Sequence, residues 1–180
     1  GGVILSRLMD EHADHVPYLH LQASKWYEQH GLLPDAIRHA LSSKDFEWAA
    51  NLIERIWPKT QRHIQSAPWL GWVKALPEKL VYDRPVLNTN YACALLDKGE
   101  LEAAEARLKQ VEELLKTNED ISRNPDASKR MIIVDKEQFR QLPNTIASAR
   151  AYLAGSLGDM QGTIKYTKQN IELLPEDDHY

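Results

Sequence analysis

The chain has 180 residues, 43% hydrophobic and 27% charged, enough apolar material to fold as an ordinary globular domain, and the balance argues against disorder. A formal net charge of −4 and a pI near 6.0 leave no electrostatic footprint for gripping a polyanion, so direct contact with nucleic acid by this segment is not expected. Cys93 is the only cysteine, which rules out an internal disulfide, and no apolar run approaches the roughly 20 residues a membrane helix needs. No signal peptide is visible, so the expectation is a cytoplasmic protein. The chain opens Gly1-Gly2-Val3 without an initiator methionine, which reads as a piece of a longer polypeptide.

Residues 1–16 read as the end of a preceding domain or an N-terminal helix, because Val3, Ile4, Leu5, Leu8 and Met9 repeat at helical spacing. Pro17 suits a first helical turn, and a helix from there to about residue 30 carries Leu19, Ala23, Trp26 and Tyr27 on one face. Gly31 and Pro34 stand where one helix ends and the next begins. Residues 34–42 bury Ala36, Ile37, Ala40 and Leu41. Asp45 is the expected N-cap of a helix that carries Trp48, Ala49, Leu52 and Ile53 and stops at Pro58. Residues 61–83 read as short helices holding Trp69, Trp72 and Leu76, then Leu80 and Val81. Pro85 opens a helix ended by Gly99, and residues 101–116 return antiparallel to it with Ala103, Ala104, Leu108, Val111 and Leu114.

Residues 117–134 are polar around Asn124-Pro125-Asp126 and read as a loop or a weakly ordered insertion. The apolar run 131–134 has no strand to pair with, so a helix start or a docked extended piece is preferred. Residues 135–180 form a further hairpin, 146–157 then 161–174 with Gly158 between, Asp135 marking a helix start and Pro143 a start or kink. The abrupt end suggests truncation before a next repeat.

Three stretches align without gaps on their turn glycines: GLLPDAIRHAL from Gly31, GELEAAEARLK from Gly99 and GDMQGTIKYTK from Gly158. The fifth position after each glycine is small: Ala36, Ala104 or Thr163. A fourth copy, without the glycine, begins at Lys44 with Asp45, Phe46 and Ala49. The pattern resembles the tetratricopeptide repeat, with Pro175 where its terminal proline falls, although the first-helix tryptophan is missing and the spacing between copies is irregular. What this resemblance implies is an all-α fold, an α-solenoid of tetratricopeptide-like antiparallel hairpins over residues 17–116 and again over 135–180.

Longer phrases carry a closer resemblance. LHLQASKWYEQHGLLPDAIRHALSSKDFEWAANLIE, the connection from Trp69-Leu70 through Leu76-Pro77 to Arg84-Pro85, and the two later hairpins are similar to the helical region of MalT-like, LuxR-type, ATP-dependent bacterial transcription regulators. The resemblance spans most of the chain from Leu19 onward and is weakest over residues 117–134. It implies a parent protein with an ATPase module before this region and a DNA-binding helix-turn-helix after it. No GxxxxGK[ST] phosphate loop occurs in the chain, so neither the nucleotide site nor the DNA reader lies here.

Candidate chemistry is sparse. His12, His15 and His20 are close in sequence but lack a His-Glu-x-x-His pattern or a cysteine partner, so no metal site is expected. Cys93 sits in the apolar run YACALL and reads as a buried structural thiol. Glu102, Glu105, Glu112 and Glu113 with Arg107, Lys109 and Lys116 read as a solvated helix face. Trp69 and Trp72 share a face and read first as packing, second as an aromatic anchor for a partner. Arg150 and Lys165, beside Tyr152 and Tyr166, are candidates to line a groove for an anionic ligand. The function expected is a non-catalytic sensor or coupling segment that needs no cofactor and answers to an inducer or partner protein. The alternative is a free-standing tetratricopeptide adaptor that binds peptides or proteins.

Overall fold

A computed structural model describes residue 3 and residues 15–62, 66–121 and 131–173. Their secondary structure is entirely helical, in two compact units that divide after Pro77. No described helix is long and apolar enough to cross a membrane.

The first unit contains α1 (His15–Gln29), α2 (Leu33–Ser42), α3 (Phe46–Arg62) and α4 (Ser66–Lys74). Its core is Ala36, Ile37, Ala40, Ala49, Ala50, Ile53 and Trp69, all 0% exposed. The alanines let α2 and its neighbours approach closely. The expected face of α1 is only partly turned inward: Ala23 and Tyr27 are half-buried, but Leu19 is 62% and Trp26 52% exposed. Its inner face is largely polar. His20 Nδ1 lies 2.8 Å from His39 Nδ1, the buried Ser24 hydroxyl donates to Ala36 O at 2.7 Å, Tyr27 stacks on His39, and Glu28 meets Arg55 of α3 at 2.6 Å. Positions 20, 24, 27 and 28 form one helical stripe. Trp48 Nε1 adds a 2.9 Å bond to Ser24 Oγ, so one hydroxyl joins α1, α2 and α3.

α3 does not stop at Pro58 but continues to Arg62. A proline inside a helix removes a single backbone donor and tends to bend the helix. Here packing favours continuation: Trp57 is 4% exposed, its ring 4.6 Å from that of Trp69, and Trp69 Nε1 donates to Ile53 O at 3.0 Å.

The second unit contains α5 (Glu78–Tyr82), α6 (Pro85–Asp97), α7 (Leu101–Ile121), α8 (Lys136–Arg140), α9 (Leu142–Ser156) and α10 (Met160–Leu173). α6 is the central helix, buried at every position from Pro85 to Ala92. α7 lays Ala104, Leu108 and Val111 into the core at 0% exposure and runs five residues beyond the expected helix end at Lys116. Residues 117–121 of the expected loop are therefore helical, and residues 122–130 lie outside the described set. The run 131–134 is neither strand nor helix. It is irregular backbone with a bend at Val134, docked where Ile132 N–H donates to Asp83 O at 2.8 Å. Asp135 caps α8 through the N–H groups of Glu137 and Gln138, and Pro143 lies in the first turn of α9, which starts four residues before the expected position 146.

The three turn glycines share one geometry. Gly31, Gly99 and Gly158 have φ of 73°, 75° and 74°. After each, the next residue's N–H reaches back five residues: Leu32 to Tyr27 O at 2.9 Å, Glu100 to Leu95 O at 2.9 Å, Asp159 to Ala154 O at 2.8 Å. With the glycine N–H bonded three residues back, each is a Schellman cap. Lys44 occupies the same place in the fourth copy and adopts φ of 60° without being a glycine.

Candidate functional groove

The second unit holds an open groove of about 380 Å³ bounded by α7, α9 and α10, a size typical of small-ligand sites. α9 supplies Pro143, Ile146, Ala147 and Arg150 from successive turns, because positions 143, 146, 147 and 150 share a face. α7 contributes Glu112, and α10 contributes Tyr166, Gln169, Glu172 and Leu173.

Its electrostatics centre on Arg150, 9% exposed. The guanidinium Nε donates to Glu112 Oε1 at 2.9 Å and Nη2 to Oε2 at 2.7 Å, a two-pronged pair. Nη1 lies 4.0 Å from Glu105 Oε1. The hydrogen bond to Glu112 raises the Arg150 pKa above its ordinary value, burial opposes it, and the charges of Glu112, Tyr166 and Glu105 add to the rise. The expected solvated carboxylate face of α7 therefore divides. Glu102 and Glu113 are exposed, whereas Glu105 and Glu112 face Arg150. Arg107 also leaves that face: it meets Glu78 of α5 at 2.5 Å, lies 4.2 Å from the Tyr91 ring centroid and donates to Asn88 Oδ1 at 3.3 Å.

The predicted site residues divide between the units. Trp69 is 0% exposed and belongs to the core of the first unit, so it is no surface anchor; Trp72, on the same helix, is half-buried. In the second unit Arg150 and Tyr166 do meet in the groove. Tyr152, 58% exposed, is outside its lining, and the exposed Lys165 places its ammonium 5.3 Å from the Tyr166 ring centroid without joining it. The charge of the lining bears on the expected anion groove. The lining carries Glu112 and Glu172 against Arg150 alone, and that guanidinium already holds a carboxylate in both prongs. The charged lining is therefore net negative, which disfavours an incoming anion.

A second cavity, of about 400 Å³, lies beside Leu115, Met131, Phe139, Leu142 and Pro143 and is chiefly apolar. Sequence reading missed it because Met131 and Phe139 are far from Leu115 in the chain and line the same cavity only in the fold. Ser24 was missed too. Its signal was faint: a serine four residues from both His20 and Glu28, on a stripe that apolar periodicity passes over.

His12 lies outside the described residues, and His20 is paired with His39 rather than with His15. Among the described residues no three His, Cys, Asp or Glu side chains come together to hold a metal. Cys93 is half-buried, and its thiol is pushed up to about 12, mainly by burial and then by the nearby Asp97 carboxylate, which opposes thiolate formation.

No family model matches the chain, and no solved structure matches it. It is similar to the serine/threonine-protein kinase PknK of two Mycobacterium tuberculosis strains and of Mycobacterium bovis, 27% identical over 153 residues in each case. The match covers 81% of this chain and 14% of each kinase, so the chain spans about a seventh of the relatives' length.

Proposed function

We propose that this chain is a non-catalytic helical coupling segment of a cytoplasmic bacterial signalling protein, in the class of MalT-like, LuxR-type, ATP-dependent transcription regulators. In this reading its hairpins stack as a tetratricopeptide-like α-solenoid between an ATPase module and a DNA-binding domain, and transmit the state of an inducer or partner protein. The observation that carries the reading is the recurrence of one hairpin turn, with the same left-handed glycine and the same pair of capping bonds, at Gly31, Gly99 and Gly158. Repeated hairpins provide packing surfaces rather than reaction chemistry. Two further points support it: the ordered phrases from Leu19 to the last hairpin, and the similarity to a short stretch of a much longer serine/threonine-protein kinase.

The groove beside Arg150 favours a second reading, a tetratricopeptide adaptor that takes a peptide or protein there. The natural reading frame on either side of the segment separates the two. The regulator reading expects a Walker phosphate loop upstream and a helix-turn-helix downstream. A frame holding only helical repeats would replace it with the adaptor, and a protein-kinase domain upstream would keep the coupling role while moving it to a different class of parent.

A further inference from the structure

The repeated turn supplies an internal standard for which helix surfaces become covered. Counting from the turn residue, the sixth position of the following helix is Ile37 after Gly31, Ala50 after Lys44, Glu105 after Gly99 and Ile164 after Gly158. Ile37 and Ala50 are 0% exposed, and Glu105 is half-buried facing Arg150. The thirteenth position is Trp57 after Lys44, Glu112 after Gly99 and Ile171 after Gly158. Trp57 is 4% exposed against Trp69 of the next helix, and Glu112 is held by Arg150, on the first helix of the next hairpin. In the earlier copies these positions are covered, and Trp57, Glu105 and Glu112 each meet a helix that follows.

On α10 the same positions are open. Ile164 is 53% and Ile171 62% exposed, and Met160, one turn before Ile164, is 69% exposed. Spacings of four and seven place all three on one face, and no residue of α10 is buried. Where α7 presents two carboxylates to an arginine, α10 presents two isoleucines, so the matching partner surface is apolar.

We propose that Met160, Ile164 and Ile171 of α10 form the docking face for an apolar-faced α-helix, the first helix of a further hairpin in the same polypeptide. The occupant follows from equivalence with Glu105 and Glu112, whose partner is the first helix of the next hairpin. The matched stretch makes up 14% of each mycobacterial relative, so a stretch like this one occurs there as a small part of a far longer chain. The inference is independent of the regulator reading, since an adaptor built of repeats needs the same face.

Hydrogen–deuterium exchange over α10 tests it, comparing the 180-residue chain with the polypeptide encoded by its natural reading frame. Exchange in α10 is expected to be at least tenfold slower in the longer polypeptide. The double substitution Ile164→Asp and Ile171→Asp should abolish that slowing and lower the Tm of the longer polypeptide. It should leave the Tm of the 180-residue chain unchanged, because there both side chains already meet solvent. Equal exchange in the two polypeptides overturns the proposal, as does a frame that ends at Tyr180. Protection of α10 that rises with the concentration of the 180-residue chain also overturns it, since the occupant would then be a second copy.

Discussion

The hairpins α6/α7 and α9/α10 are built on the same turn and have opposite fates. Gly99 and Gly158 differ by 1° in φ, and each is followed by the same five-residue return bond. Yet α7 places Ala104, Leu108, Val111 and Leu114 at 2% exposure or less, while α10 has no buried residue. The turn therefore fixes the path of the chain and leaves the depth of burial to the neighbours. α7 is covered on one side by α6 and meets α9 on another; α10 packs on α9 alone among the helices it contacts extensively. Local chemistry makes the hairpin, and tertiary contacts stabilise it.

The sharpest way to break this comparison is to truncate one apolar side chain on each second helix. Leu108→Ala should cost about 2–5 kcal/mol, because it removes a fully enclosed side chain and leaves a cavity. Ile164→Ala should cost well under about 1 kcal/mol in the 180-residue chain, since a half-exposed site neither loses much transfer energy nor leaves a void. Urea titrations of both variants measure the difference, and equal costs would show that α10 is covered in solution. Next in size is Arg150→Ala, which removes the charged link between α9 and α7. It should cost about 1.5–3 kcal/mol for a charge-assisted pair, toward the lower end because the Glu112 side chain is 42% exposed and water can reach it. Arg150→Lys should recover only part of that, as an ammonium cannot fill both prongs.

Asp135 tests the lead-in to the second hairpin. Its carboxyl lies below the ordinary value, chiefly because it accepts the Gln138 backbone N–H, then the Gln138 side chain, with Glu137 N–H adding and burial opposing. A depressed folded value means the cap's contribution is full above the unfolded value of 3.8 and is lost as pH falls through the lower folded value. Asp135→Ala should cost about 1 kcal/mol at neutral pH. The wild type should lose its advantage over the variant as acid is added below that range, which paired Tm measurements between neutral pH and pH 2 would record.

Much of the helical framework was legible because its signals are local. Asp45 and Asp135 cap helices as their positions suggest, and the turn glycines adopt the left-handed backbone that the aligned phrases imply. What escaped depended on partners distant in sequence. α1 carries two stripes of comparable regularity, an apolar one through Leu19 and Trp26 and a polar one through His20 and Ser24. Only the presence of Ala36 O, His39 and Trp48 opposite selects the polar one. Pro58 looks like a stop in the sequence because nothing local shows Trp69 packed against Trp57. Arg150 was legible as a notable charge but not as a satisfied one, since Glu112 lies 38 residues earlier.

The smallest effects sharpen the comparison at its root, the turn itself. A left-handed backbone costs a non-glycine residue about 1–2 kcal/mol, while glycine loses about 0.4–1 kcal/mol more chain entropy on folding. The difference predicts that Gly99→Ala destabilises by about 1 kcal/mol or less, with no steric addition, because no atom lies within 4 Å of the added carbon. Lys44→Gly should stabilise by a similar amount, the same strain being relieved rather than imposed. Lys44 differs from the glycines in one further respect. Asp45 N–H is bonded to Ser43 Oγ at 3.3 Å, and that hydroxyl donates to Ala40 O at 2.7 Å, relaying the five-residue return bond that the glycine turns make directly. Ser43→Ala should then cost about 0.5–1.5 kcal/mol in the native chain. In the Lys44→Gly background the cost should shrink, because a glycine turn lets Asp45 N–H reach Ala40 O unaided. A double-mutant cycle by chemical denaturation reads this coupling directly. Strict additivity would mean that the relay is incidental to the turn, and that Lys44 is held left-handed only by the packing of Ala40 and Ala49 on either side.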